Sequence, residues 1–263
     1  MESKSPFAGS HSVSSIDDCI FYHVMDIEGH GVTEGQWDLR GQVDEYLGYF
    51  PFAGKRVLEI GPASGFLTFE MEKRGGEVVA VEVPDDPGWD FVPYPETVTA
   101  DYFGPRREVM RKVKNSFWFN HRINRSNARL CYADACNLPE QIGQFDASVM
   151  AAVLLHCQNP VRIVEQCARR SRSIVITEVY DPKLEGEPVC RLVPTAENRA
   201  LDTWWQFSSA FFTNYLAVLG FRYFHTSRHS HLYCGQGKWE FFTVVASKDE
   251  LALTDGTALA PIG

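Results

Sequence analysis

The stretch from Arg56 to Val83, RVLEIGPASGFLTFEMEKRGGEVVAVEV, leaves few architectures open. RVLEI and EVVAVEV are short, nearly continuous apolar runs. Apolarity on successive residues, rather than alternate ones, fits strands buried on both faces. Between them, GFLTFEMEKRG has helical periodicity and stops at Gly75-Gly76. Strand, helix, strand in so short a span is a crossover unit. It implies a parallel sheet covered by helices on both sides. Each run carries a glutamate at its end, Glu59 and Glu82. Ligands of such sheets sit beyond the carboxyl ends of the strands, near the switch point, so both acids fall where a ligand would lie.

The same alternation continues along the chain. RLCYA (129–133), DASVMA (146–151) and RSIVITEV (172–179) are further strand candidates. PVRIVEQCARR reads as a helix with Pro160 in its first turn, and SSAFFTNYLAVLG as a helix closed by Gly220. FRYFHTS and KWEFFTVVAS are late β runs. Upstream, GVTEGQWDLRGQVDEYLGYF reads as a helix capped at Thr33, with Gln36 in the capping-box position. No internal repeat is present. The expected fold is α/β: a Rossmann-like doubly wound sheet of seven strands, the last antiparallel, with an N-terminal helical cap. The divisions expected are a disordered N-terminus (1–15), a cap segment (16–53), a main α/β domain (54–248) and a flexible tail (249–263).

With 263 residues, 44 % of them hydrophobic, the chain can bury a full core. No window approaches the ~18 apolar residues that span a bilayer, and MESKSPFAGSHSVSS lacks the apolar core of a signal peptide. Seven cysteines, without a C-x-x-C pair, read as reduced thiols of a cytoplasmic protein. A net charge of −9 argues against a surface that binds polyanions throughout. One segment departs from this. Residues 105–129 carry eight Arg/Lys and one Glu, and include Phe117-Trp118-Phe119. Basic residues interleaved with aromatics suit a phosphate-bearing or RNA substrate. The plainer reading, an amphipathic helix offsetting an acidic body, is preferred.

In EIGPASG, Gly61 allows a tight turn and a close backbone approach, and the following helix offers free N–H groups. The loop is neither a P-loop nor G-x-G-x-x-G. Glu82 is placed to accept hydrogen bonds from both hydroxyls of a ribose. Together these features resemble the class I S-adenosylmethionine (SAM)-dependent methyltransferases. Their first motif, an acid followed by G-x-x-x-G, matches Glu59, Gly61 and Gly65; their second-strand acid matches Glu82. YADACNLP supplies Asp134 and Ala135, the acid and small residue after strand three. FDASVMAAVLLHCQNP is similar to the family's run after strand four. The resemblance implies SAM as cofactor, with Pro62, Val83 and Ala151 beside the matched positions also in contact with it.

A narrower resemblance lies outside this core. FYHVMDIEGHGVTEGQWDLR, VLLHCQNP and TWWQFSSAFFTNYLAVLGF resemble the group that contains the tRNA wobble-uridine carboxymethyltransferase. Gln36 and Cys157 depart from that group's pattern, which implies ordinary rather than carboxylated SAM.

Methyl transfer needs an aligned nucleophile, and a base where the acceptor is a hydroxyl or ammonium. His156, after strand four, and Glu178, ending strand five, are the candidates for this chemistry. For His156 a structural role at the next helix is the alternative; for Glu178, a solvated strand end. Tyr22, His23, Trp37 and Arg40 precede the sheet, where such a segment can fold over the pocket as a lid. Tyr22, His23 and Arg40 are assigned to substrate and Trp37 to cofactor, with core packing the alternative for Trp37. Trp204 and Trp205 wall a substrate pocket or join the core. His225, His229 and His231 lack a completing ligand, so no metal is assigned. The expected function is methyl transfer from SAM to an O or N atom of a small molecule. The alternatives are an RNA base methyltransferase and a non-catalytic SAM-binding protein.

Overall fold

The computed structural model describes residues 5–85, 89–97 and 100–262, without the side chains of 100–103. The sequence expectations for residues 1–4, 86–88, 98–99 and 263 lie outside that description.

Seven strands build the main sheet: β1 (Arg56–Ile60), β2 (Glu77–Glu82), β3 (Arg129–Tyr132), β4 (Phe145–Ala151), β5 (Ser171–Val179), β6 (Tyr223–Tyr233) and β7 (Gly237–Ser247). Their spatial order is β3-β2-β1-β4-β5-β7-β6. Strands β1 to β5 pair in parallel, while β7 runs antiparallel to both β5 and β6. Two short strands extend the far edge to nine. Ala260–Pro261 and Trp37–Asp38 both pair with β6. The chain leaves β1 toward β3, then returns to β4 on the other side, which puts the switch point between β1 and β4.

Four helices cover the sheet: α1 (Phe66–Lys73), α2 (Ala100–Ile123), α3 (Pro160–Arg170) and α4 (Ser209–Val218). The nearly continuous apolar runs of β1 and β2 are explained by burial on both sides. Val57, Val78 and Ala80 face a core shared with Phe66, Phe69, Phe117 and Phe119 of α1 and α2. Leu58, Val79 and Val81 face a second core with Ile163, Val164, Phe212 and Leu216 of α3 and α4. Gly65, in the left-handed region at φ 85°, begins α1; Pro160 opens α3; the Ser208 hydroxyl caps α4 by accepting from Phe211 N at 3.1 Å.

The expected helix over 31–50 is not there. Only Val43–Tyr46 is helical. Thr33 does not cap its own segment: its hydroxyl accepts from Met25 N at 3.0 Å, and Gly31–Val32 pairs with Asp26–Ile27. Trp37 is drawn into extended pairing with Tyr233. Gly41 and Gly48, both at positive φ, bound the one helical turn that survives. The cap is therefore a mostly extended strap. The segments expected to be loose also differ. Val13, Leu253 and Leu259 are buried, Ala8 N donates to Leu130 O at 2.8 Å, and the tail supplies a strand. Their isolated apolar residues fill gaps at the sheet edge, a contribution that no local periodicity announces.

Candidate active site at the switch point

The β1–α1 loop is held by its own backbone hydrogen bonds. Gly61 N donates to Val81 O and Gly65 N to Pro62 O. A Cβ at Gly61, φ 73°, would lie 2.6 Å from Val153 Cγ2, and one at Gly65 2.5 Å from the Phe69 ring. The two crests flanking the switch point thus touch, and only glycine fits between them. Ala63 also takes positive φ, which turns its N–H toward Glu82.

Glu82 grips this loop. Its Oε2 accepts from Ala63 N at 3.2 Å and its Oε1 from Val83 N at 2.8 Å. Each oxygen keeps a further acceptor site. Burial raises the carboxyl, while the Val83 amide, the Lys114 ammonium and the Ala63 amide pull it back. Lys114 is itself buried, bonded to Asp85 at 2.6 Å and 4.9 Å above the Tyr132 ring. Glu59 lies deeper, accepting from the Thr68 hydroxyl. Burial pushes the Glu59 carboxyl up to about 8; the Thr68 bond opposes this and the charge of Glu82 adds to it. Asp134 follows β3 and accepts from Cys136 N at 2.8 Å, starting the turn that contains Ala135. Ala151 ends β4, opposite Thr177.

His156 closes the turn Leu154–His156, just after β4. Its Nδ1 bonds the Asp202 carbonyl. A carbonyl only accepts, so Nδ1 carries a proton, and in the neutral ring Nε2 is then the acceptor. Glu178, 1 % exposed, lies under this turn. Its Oε1 accepts from Leu154 N at 2.9 Å and Leu155 N at 3.4 Å. Burial pushes its carboxyl up to about 8 despite both amides. Trp204 and Trp205 lie alongside. Trp204 N donates to Leu155 O, its indole N–H to Asp90 O, and the Trp205 indole N–H to Gln158 O. Burial raises the Cys157 thiol, and the charges of Asp90, Glu178, Cys136 and Glu82 push it further.

The strap reaches the site through Tyr22, whose N–H donates to Ser64 Oγ at 3.2 Å. Burial pushes the Tyr22 hydroxyl up to about 12; a Trp37 hydrogen bond opposes, and Tyr233, Asp202 and Glu178 add to the shift. His23 is buried, its ring 5.3 Å from Phe66 and stacked, with Nδ1 unpartnered; burial drives it down to about 3. Trp37 packs edge-on against Tyr233, Trp239 and Phe241. Arg40 makes a two-point ion pair with Asp38. Trp37 and Arg40 are therefore engaged within the protein.

His229 and His231 of β6 are joined in an internal hydrogen-bonded chain. His231 Nδ1 bonds Gln42, its Nε2 bonds His229 Nδ1, and His229 Nε2 bonds Thr243. Among the described residues no group of three or more His, Cys, Asp or Glu is arranged to hold a metal ion. The basic segment is α2 and its exit. Phe117, Trp118 and Phe119 face the core, Arg111 pairs with Glu108, and Lys112 Nζ bonds Asp17 O. Sequence reasoning missed Ser64, Asp90, Lys114 and Asp202. Three act through backbone atoms or single long-range bonds that leave no spacing; Lys114 was hidden among its basic neighbours.

Neither a family model nor a curated protein matches the chain. Solved structures do match in fold. The N-terminal domain of EvdMO1, crystallised with S-adenosylhomocysteine (SAH) and D-fucose, is 19 % identical with a TM-score of 0.56, over 88 % of this chain and 92 % of that one. The same domain with SAH alone gives 18 % and 0.57, with the same coverage. Magnesium protoporphyrin IX methyltransferase from Synechocystis PCC 6803, with SAH bound, is 14 % identical at 0.50, over 79 % and 82 %. At these identities the likeness is one of fold. This chain has a Rossmann-like methyltransferase fold, in which its own main strands run in the order β3-β2-β1-β4-β5-β7-β6.

Proposed function

We propose that this protein is a SAM-dependent methyltransferase acting on a hydroxyl or amine of a small molecule. The observation that carries the reading is Glu82: a buried carboxylate at the end of β2, held by Ala63 and Val83 amides with acceptor capacity on both oxygens. That is the chemistry a ribose diol requires. The residues present fit the cofactor. Glu82 would take the ribose, Asp134 and Ala135 the adenine side, and Gly61, Pro62 and Gly65 the methionine side, with Glu59 beneath. Bound SAM supplies an electrophilic methyl group.

The protein's own contribution is alignment and proton handling. His156, with its proton fixed on Nδ1, offers Nε2 to the acceptor's O–H or N–H. Trp204 and Trp205 stand beside it, and Tyr22 closes the side formed by the strap. The EvdMO1 domain was crystallised in the presence of D-fucose, a compound of the size and hydroxyl chemistry read here for the acceptor. The polynucleotide alternative draws no support from α2, whose aromatics face the core and whose cations Arg111, Lys112 and Lys114 are engaged.

The test is SAH release from SAM with a panel of small hydroxyl and amino compounds. Turnover is expected with one chemical class, and His156→Ala should lower kcat about 10²–10⁴-fold with SAH affinity unchanged. A folded His156→Ala enzyme that turns over like the wild type would remove His156 from the chemistry.

A further inference from the structure

Glu178 ends a central strand beside the site and looks, from sequence, like a second acid–base group. Its bonds say otherwise. Oε1 is committed to two consecutive amides, Leu154 N and Leu155 N, at the start of the turn whose third residue is His156. A helical turn begins with amides that lack partners, and a single turn cannot satisfy them internally. A carboxyl oxygen from the neighbouring strand does so here. The other end of the turn is held by different means: His156 N bonds Val153 O, Trp204 N bonds Leu155 O, and Gln158 N bonds Asp90 Oδ2 at 2.9 Å. The segment 202–204 is thereby pinned against the turn, which brings the Asp202 carbonyl to His156 Nδ1.

We propose that Glu178 is a positioning residue: by capping the turn from below it sets the one arrangement in which His156 gives its Nδ1 proton to Asp202 O and presents Nε2 as the proton acceptor. The proposal rests on the methyltransferase reading for its catalytic consequence, but not for its structural one. Three features argue for capping over proton transfer. The side chain is almost fully buried, its bonded oxygen faces backbone amides, and the histidine it supports already has a fixed tautomer. An amide oxygen accepts the same two bonds, so the carboxylate's charge is not required for this role. Losing the cap leaves the buried Leu154 N–H and the part-buried Leu155 N–H unpaired and frees the turn to shift. A misplacement of order 1 Å in a group that must meet a reacting atom is worth about 10²-fold in rate.

Two variants separate the roles, Glu178→Gln and Glu178→Leu, each checked for fold by circular dichroism and cooperative thermal melting. Nitrogen-15 spectra of the histidine side chains, assigned with His156→Ala, read the tautomer without any acceptor. The wild type and Glu178→Gln should show His156 protonated on Nδ1; Glu178→Leu should show a mixture. A wild-type His156 protonated on Nε2, or a Glu178→Leu tautomer identical to wild type, overturns the proposal whether or not turnover is found. With a working acceptor, Glu178→Gln should keep kcat within about twofold and an unshifted pH–rate profile, while Glu178→Leu should lose about 10- to 100-fold in kcat at unchanged SAH affinity. Equal loss in both variants would make Glu178 an acid or base instead. Absence of turnover in the wild type, with the tautomer result intact, would count against the methyltransferase reading alone.

Discussion

Glu59 and Glu178 are carboxylates taken out of water with only hydroxyl or amide partners, and the consequence is readable in stability. Burial holds both carboxyls up at about 8 in the folded chain, against an ordinary value of 4.5. Below pH 4.5 both states are protonated and the full contribution to stability is present. Between about 4.5 and 8 the unfolded chain ionises while the folded one keeps its protons, so stability falls as pH rises. Thermal melting across that window should show a declining Tm. Glu59→Gln cannot titrate and should flatten the slope by about one proton's worth. A slope identical to wild type would show that Glu59 is ionised in the fold. A cationic ligand group beside Glu59 would restore its charge, so ligand binding should release a proton near neutral pH.

At the scale of elements, the β1–α1 loop and β4 crest are locked together at Gly61. Gly61→Ala meets both a left-handed φ of 73° and Val153 Cγ2 at 2.6 Å; Gly186→Ala meets only the φ of 83°, with nothing within 4 Å. Urea unfolding should therefore show a larger loss for Gly61→Ala, about 1–3 kcal/mol for strain of this kind. Equal losses in the two variants would mean that the crests can part at no cost. Helix α2 supports a second expectation. Bulk tRNA should bind weakly at low salt, with no further weakening when Arg107, Arg111 and Lys112 become Ala. A steep salt dependence abolished by those changes would restore the polynucleotide reading.

The central elements were legible because they announce themselves locally. RVLEI, EVVAVEV and RSIVITEV are nearly continuous apolar runs, and their bounds hold to within a residue. The G-x-x-x-G loop was legible because left-handed backbone needs glycine. The strap was not. Thr33, Gln36 and Trp37 carry a helix-like local pattern, but Tyr233 and Met25, distant in sequence, offered better partners. The clamp on His156 was equally hidden, since Asp202 and Trp204 act there through backbone atoms.

Across the whole molecule, one arrangement gathers the candidate residues. The switch point between β1 and β4 sets Glu82 on one side and the His156 turn on the other, with the strap crossing at Ser64 and the 202–205 segment closing the outer wall. The claim on which the account turns is that the β1–β2 side of this crevice binds the adenosine of SAM through Glu82. Calorimetric titration of SAH into the wild-type protein and into Glu82→Ala tests it most directly. Saturable binding to the wild type, weakened in the folded variant by about 1–3 kcal/mol, is the result expected for loss of a charged acceptor from two hydroxyls. Binding of equal strength in both proteins would contradict the assignment of Glu82, and no binding to the wild type would contradict the account as a whole.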